Sequence, residues 1–241
     1  MDTDLDRFFQ TTIKAILMTT PTHTPDEPHQ GQPILSAGEP LEQAQAALVL
    51  LHGRGASAQD ILTLVPELFP EGLENSGLAV LAPQAAGGTW YPNRFMEPTQ
   101  TNEPWLSSAL RVVGDLLAHI SQAGIPLERT VLLGFSQGGC LALEYAARNA
   151  RRYGSLIGLS AGLIGAEGEP RQDHGSLQGT PVFLGCSDPD LHIPRSRVEE
   201  SARILGSLGG KVTLRLYPDL GHTINQDEIE FVRRMLAEVT V

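Results

Sequence analysis

One serine, Ser136, lies in a sequence pattern that is typical of an enzymatic nucleophile. It is the centre of the Gly-x-Ser-x-Gly segment Gly134–Gly138, which follows an apolar run and precedes residues with helical spacing. Such a turn between a strand and a helix holds the serine in a strained conformation above the sheet, and its glycines avoid collisions with neighbouring backbone. A chance glycine-rich turn is the alternative, but the flanking strand and helix patterns disfavour it. We therefore predict that Ser136 attacks a carbonyl carbon.

The predicted base is His222. A serine hydroxyl is a poor nucleophile until a base removes its proton. His222 ends the segment Leu216–His222 just past the last apolar run, from which it can reach back to Ser136. We expect four other histidines to be ordinary surface residues: His23, His29, His119 and His174.

The acid that orients this histidine is expected in the turn within Val182–Pro194. Two carboxylates are available there, Asp188 and Asp190. Spacing from Gly185 favours Asp188, whereas spacing back from Ile193-Pro194 favours Asp190. The residues alone leave both assignments open, and the other aspartate would cap a helix or brace the turn.

A glycine-rich segment, His52–Gly55, follows the first strong apolar run. Negative charge develops on the carbonyl oxygen as the serine attacks, and backbone N–H groups can stabilise it. We predict that the backbone N–H groups of Arg54 and Gln137 form this oxyanion hole, and that His52 braces the loop by hydrogen bonds. A plain turn or a phosphate-binding loop is the alternative, but the spacing matches no nucleotide-binding motif.

Six short apolar runs alternate with helical stretches along the chain. The runs are Ala46–Leu51, Leu78–Ala82, Val131–Phe135, Leu156–Ser160, Val182–Cys186 and Val212–Tyr217. Helical faces recur over residues 105–120 and 229–236. This alternation predicts an α/β fold with a mainly parallel, doubly wound sheet and helices on both faces. Residues 33–241 would form one catalytic domain, and residues 1–32 an N-terminal extension with a short helix over about residues 5–17 and a flexible segment.

The composition limits the partners that the chain can have. Its 241 residues include 17 basic and 28 acidic ones, and the formal net charge of −11 opposes binding to nucleic acid or anionic lipid. No apolar run approaches the ~20 residues of a membrane helix, so we expect a cytoplasmic protein without stable membrane insertion, as a monomer or homodimer. Cys140 and Cys186 are expected to be reduced and buried. The predicted chemistry needs no metal or organic cofactor, and none is expected.

Taken together, the motifs resemble those of the bacterial phospholipase/carboxylesterase family, which includes the acyl-protein thioesterases. The matching segments are His52–Gly55, Gly134–Gly139, Asp190–Pro194 and Gly221-His222, in the family's order. The resemblance covers about residues 44–238 and implies the α/β-hydrolase fold. It also implies that Asp190, which matches the second aspartate of the family's acid turn, completes a triad with Ser136 and His222.

Two neighbouring residues depart from the family pattern. Leu191 and His192 stand where the family usually has proline and an apolar residue; His192 is expected to hydrogen-bond substrate or acid, or only to cap a helix. The segment Gly88–Pro92 is similar to a subset of the family in which this loop borders the acyl site. Trp90 and Tyr91 would then form an apolar wall for the substrate, with burial as core aromatics as the alternative.

The expected function is hydrolysis of small to medium carboxylic esters through an acyl-enzyme on Ser136. Thioesters and lysophospholipids are alternative substrates of the same site. An activity like that of dienelactone hydrolases is disfavoured, because that group usually carries a cysteine nucleophile. A small-molecule-binding protein that keeps the hydrolase fold without turnover is the alternative from another class, which the complete triad disfavours.

Overall fold

The computed structural model describes residues 14–16 and 25–240, which form one eight-stranded sheet flanked by helices. The strands are β1 (Lys14–Ile16), β2 (Ile34–Gly38), β3 (Ala46–Leu51), β4 (Leu78–Pro83), β5 (Thr130–Phe135), β6 (Ser155–Leu159), β7 (Pro181–Asp188) and β8 (Lys211–Pro218). The helices are α1 (Ala58–Leu62), α2 (Leu64–Leu68), α3 (Trp105–Gln122), α4 (Gln137–Arg148), α5 (Arg195–Ser207) and α6 (Gln226–Thr240). Short 3₁₀ turns lie at Ala86–Gly88, Thr99–Asn102 and Leu127–Arg129.

The sheet order is β1-β2-β4-β3-β5-β6-β7-β8. Strands β3 to β8 pair in parallel, while β1 pairs antiparallel with β2 and β2 antiparallel with β4. The predicted α/β class with a mainly parallel sheet is confirmed. The carboxyl ends of β3, β5, β7 and β8 therefore meet at one edge of the sheet, where ligands bind in open α/β folds.

Two apolar cores lie on the two faces of the sheet. Side chains alternate between the faces along each strand, so Val49 and Leu51 pack with α3, α4 and α5, whereas Leu48 and Leu50 pack with α1, α2 and α6. Strand β3 is fully buried because both faces are covered. This double burial explains why the central strands read as continuous apolar runs in the sequence.

All six predicted strands occur, and β7 and β8 extend past the predicted ends. Strands β1 and β2 were not predicted. Most of the helix predicted over residues 5–17 lies outside the described residues, but its part at Lys14–Ile16 is a strand, so that part of the prediction was wrong. Pairing with β2 supplies the backbone hydrogen bonds that a helix would otherwise make.

The later part of the predicted N-terminal extension packs on the core. His29 and Gln30 are buried, and the backbone N–H of His29 donates to the Ser108 hydroxyl on α3. The prediction that His29 is a surface residue was wrong, because its ring lies between the indoles of Trp90 and Trp105. His119 is half-buried and His174 exposed, while His23 lies outside the described residues.

Across the part of the chain that the structure describes, every helix is too short or too polar to cross a membrane.

Candidate active site

Ser136 lies at the turn between β5 and α4, with φ 53° and ψ −120°. This positive φ is unusual for a residue with a side chain, and the surrounding backbone holds it in place. A Cβ at Gly134 would lie 2.3 Å from the carbonyl carbon of Gly138, and a Cβ at Gly138 would lie 2.1 Å from the Leu51 oxygen. Glycine is required at both positions because strand, turn and helix approach so closely. The turn presents the Ser136 hydroxyl to a cavity at the sheet edge.

His222 lies in the loop that connects β8 to α6, four residues past the strand. Its Nε2 is 2.9 Å from the Ser136 Oγ, and its Nδ1 is 2.8 Å from the Asp190 Oδ2. The ring packs near Phe135, with the two ring centroids 5.1 Å apart. Hydroxyl, imidazole and carboxylate are therefore joined in one line of hydrogen bonds across three loops.

Asp190 follows β7, and its side chain is fully buried. Besides its bond to His222, it accepts hydrogen bonds from the backbone N–H groups of His192, at 2.7 Å, and Ile193, at 3.0 Å. Burial alone would raise the pKa of Asp190, but these bonds favour the charged form and hold the pKa below its ordinary value. The other candidate, Asp188, instead forms an ion pair with Arg195 at 3.0 Å. The structure thus brings Asp190, and not Asp188, to the histidine.

The loop after β3 carries one of the two predicted oxyanion donors, Arg54, and passes near the serine. A Cβ at Gly53 would lie 3.5 Å from the Ser136 Cβ, so this loop passes directly by the serine. Gln137 is the first residue of α4, where helix geometry leaves the backbone N–H without an intrahelical acceptor. Within residues 14–16 and 25–240, the backbone N–H groups of Arg54 and Gln137 have no hydrogen-bond acceptor.

His52 braces this loop, as predicted. It is fully buried; its Nδ1 donates to the Gly53 oxygen at 2.8 Å, and its Nε2 accepts from the Ala85 N–H at 3.0 Å. An imidazole that both donates and accepts in this way is neutral. Burial lowers the pKa of His52, which favours that neutral form. His52 is therefore a structural support and lies outside the cavity lining.

Sequence reasoning missed a second role of Gln137. Its side-chain oxygen accepts from the Trp90 N–H at 2.8 Å, and its Nε2 donates to the Tyr91 oxygen at 2.8 Å. The amide thus fastens the loop of residues 85–91 to the turn that carries Ser136. Its position directly after the nucleophile was the available signal, because a buried amide there needs backbone partners.

The cavity beside Ser136 has a volume of about 830 Å³. Its lining consists of Arg54, Tyr91, Pro92, Asn93, Arg94, Phe95, Glu97, Thr101, Ser136, Gln137, Cys140, His192, Ile193 and His222. The predicted substrate residues Tyr91 and His192 are both in this lining. The His192 side chain is exposed, and its ring lies edge-on to that of His222, with centroids 4.7 Å apart.

The structure does not bring Trp90 to the cavity, so its predicted contact with substrate is corrected. Trp90 is fully buried, and its indole N–H donates to the His52 oxygen at 2.9 Å. Its ring packs between those of His29 and His52. Tyr91 is also buried in the core, but of these two aromatics it is the one that borders the cavity.

Both cysteines are free and buried, as predicted. Burial raises the pKa of Cys140 and of Cys186 to about 12. Although Cys140 borders the cavity, it stays a thiol at neutral pH and is a poor nucleophile. Ser136, whose hydroxyl lies 2.9 Å from the His222 Nε2, is therefore the better candidate for the nucleophile than Cys140.

Several known proteins resemble this chain in sequence and in fold. Residues 34–240 match the family model described as Phospholipase/Carboxylesterase. A solved phospholipase/carboxylesterase from Dyadobacter fermentans is 42% identical and has a TM-score of 0.80, covering 92% of this chain and 100% of that one.

Curated relatives carry related names. Acyl-protein thioesterase 1 of Gibberella zeae is 31% identical over 51% of this chain, a match that spans about half of that protein, 53%. Esterase YpfH of Escherichia coli is 28% identical over 80% of this chain and 82% of its own length. Because the family model covers most of the sequence and the fold agrees, this chain belongs to the phospholipase/carboxylesterase family of α/β-hydrolases.

Proposed function

We propose that the protein is a serine hydrolase that cleaves carboxylic esters with small to medium acyl groups. The observation that carries this proposal is the line of hydrogen bonds from Ser136 Oγ through the His222 ring to Asp190, with lengths of 2.9 and 2.8 Å. These distances allow a proton to pass from the hydroxyl to the imidazole as the oxygen attacks.

The reaction has two steps. His222 removes the Ser136 proton while Oγ attacks the ester carbonyl carbon, and the carbonyl oxygen becomes negatively charged near the N–H groups of Arg54 and Gln137. The intermediate collapses, the alcohol leaves with the proton from His222, and the acyl group stays on Ser136. Water then gives a proton to His222 and attacks the acyl carbon. The bond from that carbon to Ser136 Oγ breaks, His222 returns the proton to Oγ, and the acid is released.

Asp190 supports this cycle by holding one form of the imidazole. Its ionised carboxylate accepts a hydrogen bond from the Nδ1–H, which leaves Nε2 free to take the proton from Ser136. The same charge stabilises the imidazolium that forms when His222 becomes protonated. The lowered pKa of Asp190 means that the carboxylate is available at neutral pH.

The size and lining of the cavity favour small and medium acyl groups as substrates. Tyr91, Phe95 and Ile193 give part of its lining an apolar surface, and all three are largely buried. We expect the acyl group to contact this surface, while the polar His192 at the mouth contacts the leaving group. The names of the relatives, an esterase and a thioesterase, favour acyl transfer at this site over ligand binding alone.

A variant with Ser136→Ala tests this proposal. We expect hydrolysis of 4-nitrophenyl butyrate to fall by roughly 10⁴- to 10⁶-fold while circular dichroism stays native, because the nucleophile is removed without added bulk. A fluorophosphonate probe should label the native protein once and the variant not at all. Ser207→Ala, on the exposed end of α5, is the matched control and should behave as the native protein. Turnover retained by Ser136→Ala would refute the mechanism, and tight ligand binding without labelling would favour a non-catalytic binding protein.

A further inference from the structure

We propose that the site prefers esters that carry a carboxylate, which two arginines of the cavity would hold. This inference rests on the proposed esterase function and adds a substrate class to it. Arg54 and Arg94 both line the cavity that contains Ser136. Their positive charges stand out because the whole chain has a formal net charge of −11.

The Arg54 guanidinium is held in place by neutral partners. It donates to the backbone oxygens of Pro92, at 2.8 Å, and Asn93, at 2.6 Å, and lies 5.8 Å from the centre of the Tyr91 ring. Two of its five N–H donors are used in these bonds. No carboxylate among the described residues forms an ion pair with it. Its orientation is therefore fixed while its charge is not neutralised.

Arg94 lies two residues after Pro92, and its side chain is exposed at the cavity. In the part of the chain that the structure describes, this side chain has neither a hydrogen bond nor an ion pair. Most arginines of α5 and α6 differ in this respect: Arg195, for example, pairs with Asp188 and Glu199. An unpaired guanidinium in the same cavity as a reactive serine is available to a bound anion.

The charge of the lining indicates what kind of anion fits. Glu97 is the carboxylate of the lining, and with two arginines it leaves a formal charge of plus one when the histidines are neutral. A singly charged carboxylate balances that charge, and the planar guanidinium matches it with two parallel hydrogen bonds. The positive charge would also draw an anionic ester to an otherwise acidic protein.

Two esters of equal chain length test this preference at pH 8, 4-nitrophenyl monoadipate and 4-nitrophenyl hexanoate, which differ in a terminal carboxylate. We expect the native protein to have the higher kcat/KM on the monoadipate. In Arg94→Gln the ratio of the two kcat/KM values should fall about 5- to 10-fold, and Arg94→Lys should restore much of it. Raising the salt concentration should lower the native ratio, because salt screens the attraction. Arg203→Gln, an exposed arginine on α5, is the control and should leave the ratio unchanged.

A second pair places the carboxylate on the alcohol side, 4-acetoxybenzoate against methyl 4-acetoxybenzoate. A fall of either ratio in Arg94→Gln supports the proposal and assigns the carboxylate to the acyl or the alcohol part. Both ratios unchanged in Arg94→Gln would overturn it. Labelling of Ser136 by a fluorophosphonate in the same variant separates this outcome from failure of the esterase proposal, in which labelling would be absent from the native protein as well.

Discussion

A buried glutamate, Glu228, should make the protein less stable as the pH rises from about 4.5 to 7. Glu228 lies in the first turn of α6, where its Oε2 accepts from the Asn225 N–H and its own N–H donates to the Asn225 Oδ1, both at 2.9 Å. Its other oxygen is buried without a hydrogen-bond partner among the described residues, against the backbone of Gly185. The perturbation is Glu228→Gln, which removes the charge and keeps an oxygen for the bond from Asn225.

The magnitude follows from the pKa. Burial raises the pKa of Glu228 from 4.5 to about 7. Between these values the folded protein binds a proton that the unfolded chain does not, so the free energy of unfolding falls as the pH rises from 4.5 to 7. At 1.36 kcal/mol per pKa unit, the full loss is roughly 3 kcal/mol and is complete above pH 7. Glutamine is neutral throughout and has no such loss.

Urea unfolding of the native protein and Glu228→Gln from pH 4.5 to pH 8 measures the effect. An unpaired glutamine N–H could lower the stability of the variant by about 1–3 kcal/mol, but that loss does not depend on pH. The difference between the two proteins should therefore shift by about 3 kcal/mol in favour of the variant across this range. Glu230→Gln, exposed on the same helix, should show no such shift. A difference that stays constant with pH would refute the reasoning.

Two further predictions concern the acid and the nucleophile turn. Asp190→Asn should lower kcat on 4-nitrophenyl butyrate by about 10³- to 10⁴-fold, because an amide favours the wrong imidazole tautomer. The control Asp188→Asn should change kcat less than about 3-fold. Equal losses in the two variants would contradict the assignment of Asp190 as the acid. Gly138→Ala should lower the free energy of unfolding by roughly 3 kcal/mol or more, because its Cβ meets the Leu51 backbone at 2.1 Å, and thermal unfolding would measure it. The control Gly206→Ala, on the exposed side of α5 with its nearest contact at 4.0 Å, should be neutral or slightly stabilising.

The predictable parts of the site are those whose residues lie close together in the sequence. The turn around Ser136 needs glycines at fixed distances from the serine, because strand and helix meet there, and this requirement is visible in the sequence. The central strands were predictable for a similar reason, since burial on both faces leaves an uninterrupted apolar run. His222 was predictable because it lies just past the last apolar run, from which it can reach back to Ser136.

The parts that sequence could not predict depend on contacts between distant segments. Asp188 and Asp190 share one turn, so spacing alone left both assignments open, and the prediction of Asp190 rested on the family resemblance. Trp90 and Tyr91 are adjacent buried aromatics, and the loop conformation determines which of the two borders the cavity. Strand β1 is short and pairs at the sheet edge, so its formation depends on β2 more than on local pattern.

The loop of residues 85–91 has attachments in three remote parts of the chain. His29 accepts a hydrogen bond from the Ala86 N–H and lies within bonding distance of the Trp90 oxygen, His52 accepts from Ala85, and Gln137 holds Trp90 and Tyr91. Tyr91 of this loop borders the cavity, so the shape of the cavity depends on residues from three separate parts of the sequence. A change at position 29, more than a hundred residues before the nucleophile, can alter which molecules fit beside it. Selection for a new specificity in this protein can therefore act through residues that never touch a ligand.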